Sequence, residues 1–298
     1  MPKHSRTVAR RAPSSLRRTA ALRWVCAIGL LGATLAVIQV CRAAVRTPLK
    51  PGWNLFTPEQ DIELGQRASA KVGRQVILLN DPKVDDYLDA LGKKLAANAP
   101  GYKFPYQYRC VNDENINAFA LPGGFVYVNR GVIEVADDEA QLAGVIAHET
   151  SHVALRHGTS HVSKAEAWQI PFGVLGAAAG PLAQLGADFT LNSVLLKYSR
   201  QDETQADVMG TQILYDTGYD PRALAQFFEK IEADSKGKEP AQFFSDHPNP
   251  GNRTERVNEE VDKLGGPEPN YLKDSDDFHR IKIYVMKLPK PPKPPGKA

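Results

Sequence analysis

Residues 137–158 read DDEAQLAGVIAHETSHVALRHG, and the spacing inside this stretch sets the fold around it. Leu142, Val145, Ile146 and Val153 recur at helical intervals, which is the pattern of a helix burying one apolar face. Asp137 is a capping residue at the start and Gly158 a stop at the end, so the spacing predicts a helix over 137–158. Within it His148 and His152 lie four apart and share a face, where both imidazoles reach one point. Glu149 projects beside them, placed to reach a water at that point without acting as a ligand. This is the HExxH pattern, in which two histidines hold zinc and the glutamate is a base. A surface helix with two solvated histidines would be the plain alternative.

A catalytic zinc needs a third protein ligand and one open position for water. The Gly and third His that could follow HExxH are absent, because Leu155 and Gly158 stand at those places. Cys26 and Cys41 lie in or beside an apolar run, leaving Cys110 alone in the body. No cysteine pair is left there for a metal or a disulfide. Any metal is then held by histidine and carboxylate. Residues 198–207, YSRQDETQAD, place Glu203 and Asp207 four apart on a predicted helix over 201–217 that Gly218 stops. Glu203 can complete a two-histidine, one-glutamate set for one Zn2+ per chain. Asp207 is then placed to accept the free ring N–H of a ligand histidine and fix its tautomer. Without the upstream motif, such a pair is an ordinary solvated helix face.

Working outward, Thr57-Pro58-Glu59-Gln60 carries a capping hydroxyl, a proline at the first helical position and a glutamine three after the cap. A helix is expected from there to Val72, and a second from Asp81-Pro82 with Val84, Tyr87, Leu88, Leu91 and Leu95 inward. Residues 103–111 alternate as a strand. Ala118–Leu121 and Phe125–Val128 read as two more strands around the turn Pro122-Gly123-Gly124. After Asp220-Pro221 a helix buries Leu224, Phe227, Phe228 and Ile231, and a last one is expected from Arg253 to Leu264. The uncharged stretch 167–187 is broken by prolines and glycines and reads as a partly apolar loop or broken helix pair. The fold class is therefore α+β: a mostly helical domain, with a small antiparallel sheet before the HExxH helix.

The chain has 298 residues and a net charge of +3 that is unevenly distributed. No acid precedes Glu59, while Lys3, Arg6, Arg10, Arg11, Arg17, Arg18 and Arg23 crowd the start. The remainder is mildly acidic and offers no basic face for nucleic acid. The basic start leads into an uncharged apolar run, Trp24–Cys41, so residues 1–45 read as a signal peptide or signal anchor that sends the rest across a membrane. The expected address is the bacterial periplasm or envelope, with an organellar membrane second and membrane association through this segment. The folded domain is expected over 53–288, followed by a disordered Pro/Lys-rich tail over 289–298.

The motifs together resemble the zinc metallopeptidase family that includes the CAAX prenyl protease and the HtpX-like heat-shock peptidases. The residues concerned are Asn117-Ala118-Phe119-Ala120-Leu121-Pro122-Gly123-Gly124, HExxH followed by Arg156-His157-Gly158, Glu203 with Asp207, and His247-Pro248 with Arg253. The resemblance is closest to short envelope-type bacterial members. It implies a gluzincin core in which Glu203 is the third ligand and Asp207 supports it. It implies that Asn117, Ala118, Phe119 and Ala120 form an exposed edge pairing with an extended protein or peptide substrate. It also implies that His247 and Arg253 face the cleft and steady the oxyanion, with His247 alternatively closing the open zinc position. His157 reads as a supporting group. The expected activity is endopeptidase cleavage of misfolded or unassembled envelope proteins, with Glu149 activating water. The rival reading is a zinc-stabilised, chaperone-like factor with latent activity.

Overall fold

The structure, a computed structural model, describes residues 45–169, 198–235, 241–248, 251–266 and 270–291. The chain divides into two units, residues 1–45 and 46–298, and the description concerns the second. The segment expected as a signal peptide or anchor, up to residue 44, and the stretch expected as a loop beyond Gln169 lie outside the described residues. So does the tail beyond Pro291.

Helix α1 (Pro58–Val72) begins with the expected box: Gln60 Oε1 accepts the Thr57 N–H at 2.8 Å while the Thr57 hydroxyl accepts the Gln60 N–H. Helix α2 (Pro82–Ala96) is capped by Asp81 and buries Val84, Leu88, Leu91 and Leu95. The domain is tied together upstream of Trp53. Arg46 forms two 2.8 Å contacts with Asp216, and the Thr47 N–H donates to the buried Glu260.

Three strands follow: β1 (Gln107–Val111), β2 (Ala118–Leu121) and β3 (Phe125–Asn129), in the order β1-β3-β2. The β2–β3 hairpin is antiparallel as expected, but β1 runs parallel to β3, so the sheet is mixed. Residues 103–106 do not extend β1. Pro105 has no N–H to give a ladder, and the Tyr106 N–H closes a local turn onto Phe104 O. The hairpin turn, with Gly123 at φ 77°, rests on α1. There a Cβ on Gly65 would lie 1.9 Å from Pro122 O. Gly65→Ala should therefore destabilise the domain by about 1–3 kcal/mol through overpacking. Chemical denaturation would register this as a lower midpoint, and an unchanged midpoint would refute the contact.

The short helix α3 (Arg130–Val135) leads to α4 (Glu139–Ala154), every residue of which is buried. Its cap is Asp138 rather than Asp137, whose carboxylate instead pairs with Lys230. Nor does α4 continue to Gly158. It ends at Ala154, Arg156 takes a left-handed φ of 58°, and α5 (His157–Gln169) sets off anew. That conformation costs a non-glycine residue about 1–2 kcal/mol. Here Arg156 grips the buried Asp61 through Nε (2.6 Å) and Nη2 (3.0 Å), which offsets the strain.

Helix α6 (Arg200–Thr217) is capped by Ser199 and stopped by Gly218 at φ 86°. It crosses α4 closely because Gly210 has no side chain; a Cβ there would stand 3.2 Å from His148 N. Helix α7 (Ala223–Asp234) buries Leu224, Phe227, Phe228 and Ile231. The short α8 (Gln242–Asp246) precedes His247, and α9 (Arg253–Lys263) packs on α6 and α7. A further helix, α10 (Asp276–Lys287), follows where none was expected. It buries Phe278, Ile281 and Val285, and its end is held by Arg130, which donates to Val285 O and Pro289 O.

Candidate metal centre

A central helix buried on all sides must pair its polar groups internally. On α4, Thr150 and Ser151 do so, donating at 2.7 Å to the carbonyls of Ile146 and Ala147. The polar groups left over are His148, Glu149 and His152, all facing α6 and the loop after α8. His148 Nε2 and His152 Nε2 are 3.0 Å apart. Glu203 sets one oxygen 3.4 Å from the first and the other 3.5 Å from the second. Ligand atoms on a tetrahedral zinc with bonds of about 2.0–2.1 Å sit roughly 3.3 Å apart. The spacing observed is that of ligands around one ion.

Hydrogen bonding behind the His152 ring shows which way its lone pair points. Gln205 Oε1 only accepts, so His157 must donate to it from Nε2, at 3.1 Å. His157 Nδ1 then accepts from His152 Nδ1 at 2.9 Å, which turns the lone pair of His152 Nε2 inward. The break at Arg156 makes this contact available. On an unbroken helix, residue 157 would lie about 140° around the axis from His152. Burial holds His152 well below the usual histidine range and brings His157 down to about 4, so both rings are neutral. Burial would also lower His148, but Asp207 and Glu203 outweigh it and push the ring up to about 9. Two converging nitrogens and a buried carboxylate fit a divalent metal.

Asp207 approaches His148 Nδ1 to 3.0 Å, too far off line for a good hydrogen bond. Arg253 holds the carboxylate with contacts of 2.8 and 2.6 Å and reaches Glu203 at 3.4 Å. Arg253, expected to face the cleft, instead lies buried behind the carboxylates, stacked 3.8 Å over Phe228. Burial is the largest influence on Glu203 and would raise its pKa. His247 and His148 override it and keep the carboxyl well below its usual range.

Glu149 is fully buried, neither oxygen has a hydrogen-bond partner, and burial raises its pKa. A carboxylate so placed can take a proton from water beside the ligand set. His247 is drawn into the same point. Its Nδ1 lies 3.1 Å from Glu203 and 3.4 Å from His148 Nε2, and all four candidate ligand atoms fall within 4.8 Å of one another. Its Nε2 lies 3.3 Å from Ala118 O and 3.4 Å from Glu149. Glu203 Oε1 only accepts, so in this arrangement His247 Nδ1 donates to it. Tyr198, to which the sequence reading gave no role, stacks on His152 at 3.8 Å. It belongs to no helical period, and its place in the stretch leading to Glu203 was the available signal.

The β2 edge lies alongside. Asn117 O accepts from Asn129 in the neighbouring strand, so by alternation the backbone groups of Ala118 and Ala120 point away from the sheet. Phe119 stacks on Tyr127 at 4.9 Å. The Asn117 side chain donates to Asp246 at 2.7 Å, tying the strand to the His247 loop.

A sequence model of peptidase family M48 matches residues 82–261. The β-barrel assembly-enhancing protease of Escherichia coli K12 is 30% identical over 238 residues, which are 76% of this chain and 48% of that protein. Mitochondrial metalloendopeptidase OMA1 of Schizosaccharomyces pombe is 31% identical over 197 residues, 65% of this chain and 56% of its own. Metalloprotease YcaL of E. coli K12 is 27% identical over 178 residues, 58% of this chain and 68% of its own. The chain spans about half the length of the first of these relatives.

Proposed function

The chain belongs to peptidase family M48, and on that premise we propose that it is a zinc-dependent metalloendopeptidase with His148, His152 and Glu203 as its ligands. The observation that carries this reading is the convergence of two imidazole nitrogens and a buried carboxylate beside Glu149, whose oxygens accept no hydrogen bond. Zinc bound there would acidify a neighbouring water and polarise a carbonyl. Glu149 takes the proton of that water and passes it to the departing amine. His157 holds the ring of His152, Asp207 stands beside that of His148, Arg253 holds the carboxylates, and Tyr198 packs against His152. An extended substrate adds to the β2 edge through Ala118 and Ala120. Chelation should abolish cleavage of an unfolded protein and zinc should restore it; cleavage that persists without metal would refute the reading.

The substrates we propose are misfolded or unassembled proteins of a cell envelope. The apolar run at 24–41 and the names of the relatives, one acting in β-barrel assembly and one mitochondrial, support that address. Among the described residues no helix is long and apolar enough to cross a membrane.

His247 gives the site a closed form. With Nδ1 among the ligand atoms and Nε2 on Ala118 O, it stands where both water and substrate backbone would go. His247→Ala should therefore cleave short peptides several-fold faster than the unaltered chain. A fall would instead assign His247 to steadying the carbonyl. The same closure favours the second reading, a zinc-stabilised chaperone-like factor with latent activity. In that case Glu149→Gln would still suppress aggregation of unfolded clients.

A further inference from the structure

A cavity of about 360 Å³ opens beside the β2 edge, bordered on one side by His247. Val76, Val111 and Phe119 form apolar walls, and Asp113, Asn117 and Asp246 line it together with Asn129 and Gln242, whose amides donate to Asn115 O and Asp246. The polar groups are unbalanced. Asn117 is nine-tenths buried and spends its amide N–H on Asp246, leaving Oδ1 without a partner. Asp246 accepts that bond and a longer one of 3.4 Å from Gln242, neither of which brings a positive charge. The Asp113 carboxylate accepts the Asn115 N–H at 2.9 Å. Among the described residues neither carboxylate has an ion pair. Asn117 Oδ1 and the two carboxylates thus present acceptors and negative charge to whatever enters.

We propose that this cavity is the subsite that selects the substrate, taking a lysine or arginine side chain of the bound peptide. The proposal rests on the peptidase reading above. A strand laid along Ala118 and Ala120 points alternate side chains to one side, and one of them meets the cavity. Lysine and arginine bring only donors, three or five of them, and a charge opposite to that of the two carboxylates. Their methylene stems suit the walls of Val76, Val111 and Phe119. A serine or asparagine would bring an acceptor of its own and leave both charges unmatched, and an acidic side chain would be repelled.

The test maps the cuts made in denatured protein by the zinc-loaded chain and measures kcat/KM for matched peptides with lysine, methionine or glutamate at the mapped position. Lysine or arginine should be enriched at one fixed position near the cut bond, with lysine about tenfold above methionine, the effect of one charge-assisted hydrogen bond. Asp113→Asn, which keeps the turn acceptor for Asn115, should reduce that ratio, and Asp113→Lys should shift preference towards glutamate. Asp246→Asn should reduce the ratio independently. Cleavage with no basic preference, or a preference unchanged in both asparagine variants, overturns the subsite and leaves the peptidase reading standing. Absence of cleavage by both the unaltered chain and His247→Ala overturns the peptidase reading, and the subsite with it.

Discussion

Glu149→Gln is expected to retain one zinc per chain and to lose essentially all peptide-bond cleavage. The side chain is fully buried, and its two oxygens have no hydrogen-bond partner. Glutamine has the same shape and leaves His148, His152 and Glu203 where they are, so metal binding has no reason to change. An amide has no basic lone pair of comparable strength, and general-base assistance is worth about 10²–10⁴-fold. Elemental analysis together with cleavage of an unfolded substrate separates the two effects. Cleavage at a near-native rate would remove Glu149 from the chemistry, and loss of zinc would make it part of the metal site.

The second large effect is on the metal itself. Glu203→Ala removes the carboxylate that stands 3.4–3.5 Å from both ligand nitrogens. It also leaves Arg253 with Asp207 as its remaining acidic partner in the buried site. Zinc affinity should fall by more than the roughly 10–100-fold typical of losing a group behind a ligand. Asp207→Asn, which disturbs such a supporting group, should fall within that range. Competition for zinc against a chromophoric chelator ranks the two variants. Equal losses, or a greater loss for Asp207→Asn, would contradict the assignment of Glu203 as a ligand.

The parts of this site legible in the sequence are those set by local spacing. His148 and His152 share a face because they are four apart on a helix, and the caps at Thr57, Asp81 and Gly218 announce the helices that frame them. Glu203 is different. Its helix could be read, but its selection as a ligand depended on the absence of a third histidine and on a family resemblance. Long-range packing hid the remainder. The turn at Arg156 is stabilised by Asp61, 95 positions away, so nothing nearby in the chain marks the end of α4 there. Arg253 faces the carboxylates because α9 packs on α6, which the sequence does not state. His247 sits in a segment of prolines and turn formers that reads as surface loop, yet it stacks on Phe243 at 4.4 Å and is buried. Helix α10 was missed although Phe278, Ile281 and Val285 keep helical spacing, because charged residues dilute a short apolar face.

The central claim is that one zinc is held by His148, His152 and Glu203. X-ray absorption at the zinc edge on the purified, zinc-loaded chain tests it most directly when the unaltered protein and Glu203→Ala are compared. The expected result is a shell of nitrogen and oxygen at about 2.0–2.1 Å with the signature of imidazole and no sulfur, losing an oxygen or the metal altogether in the variant. A sulfur shell near about 2.3 Å, or a spectrum identical in the two proteins, would contradict it.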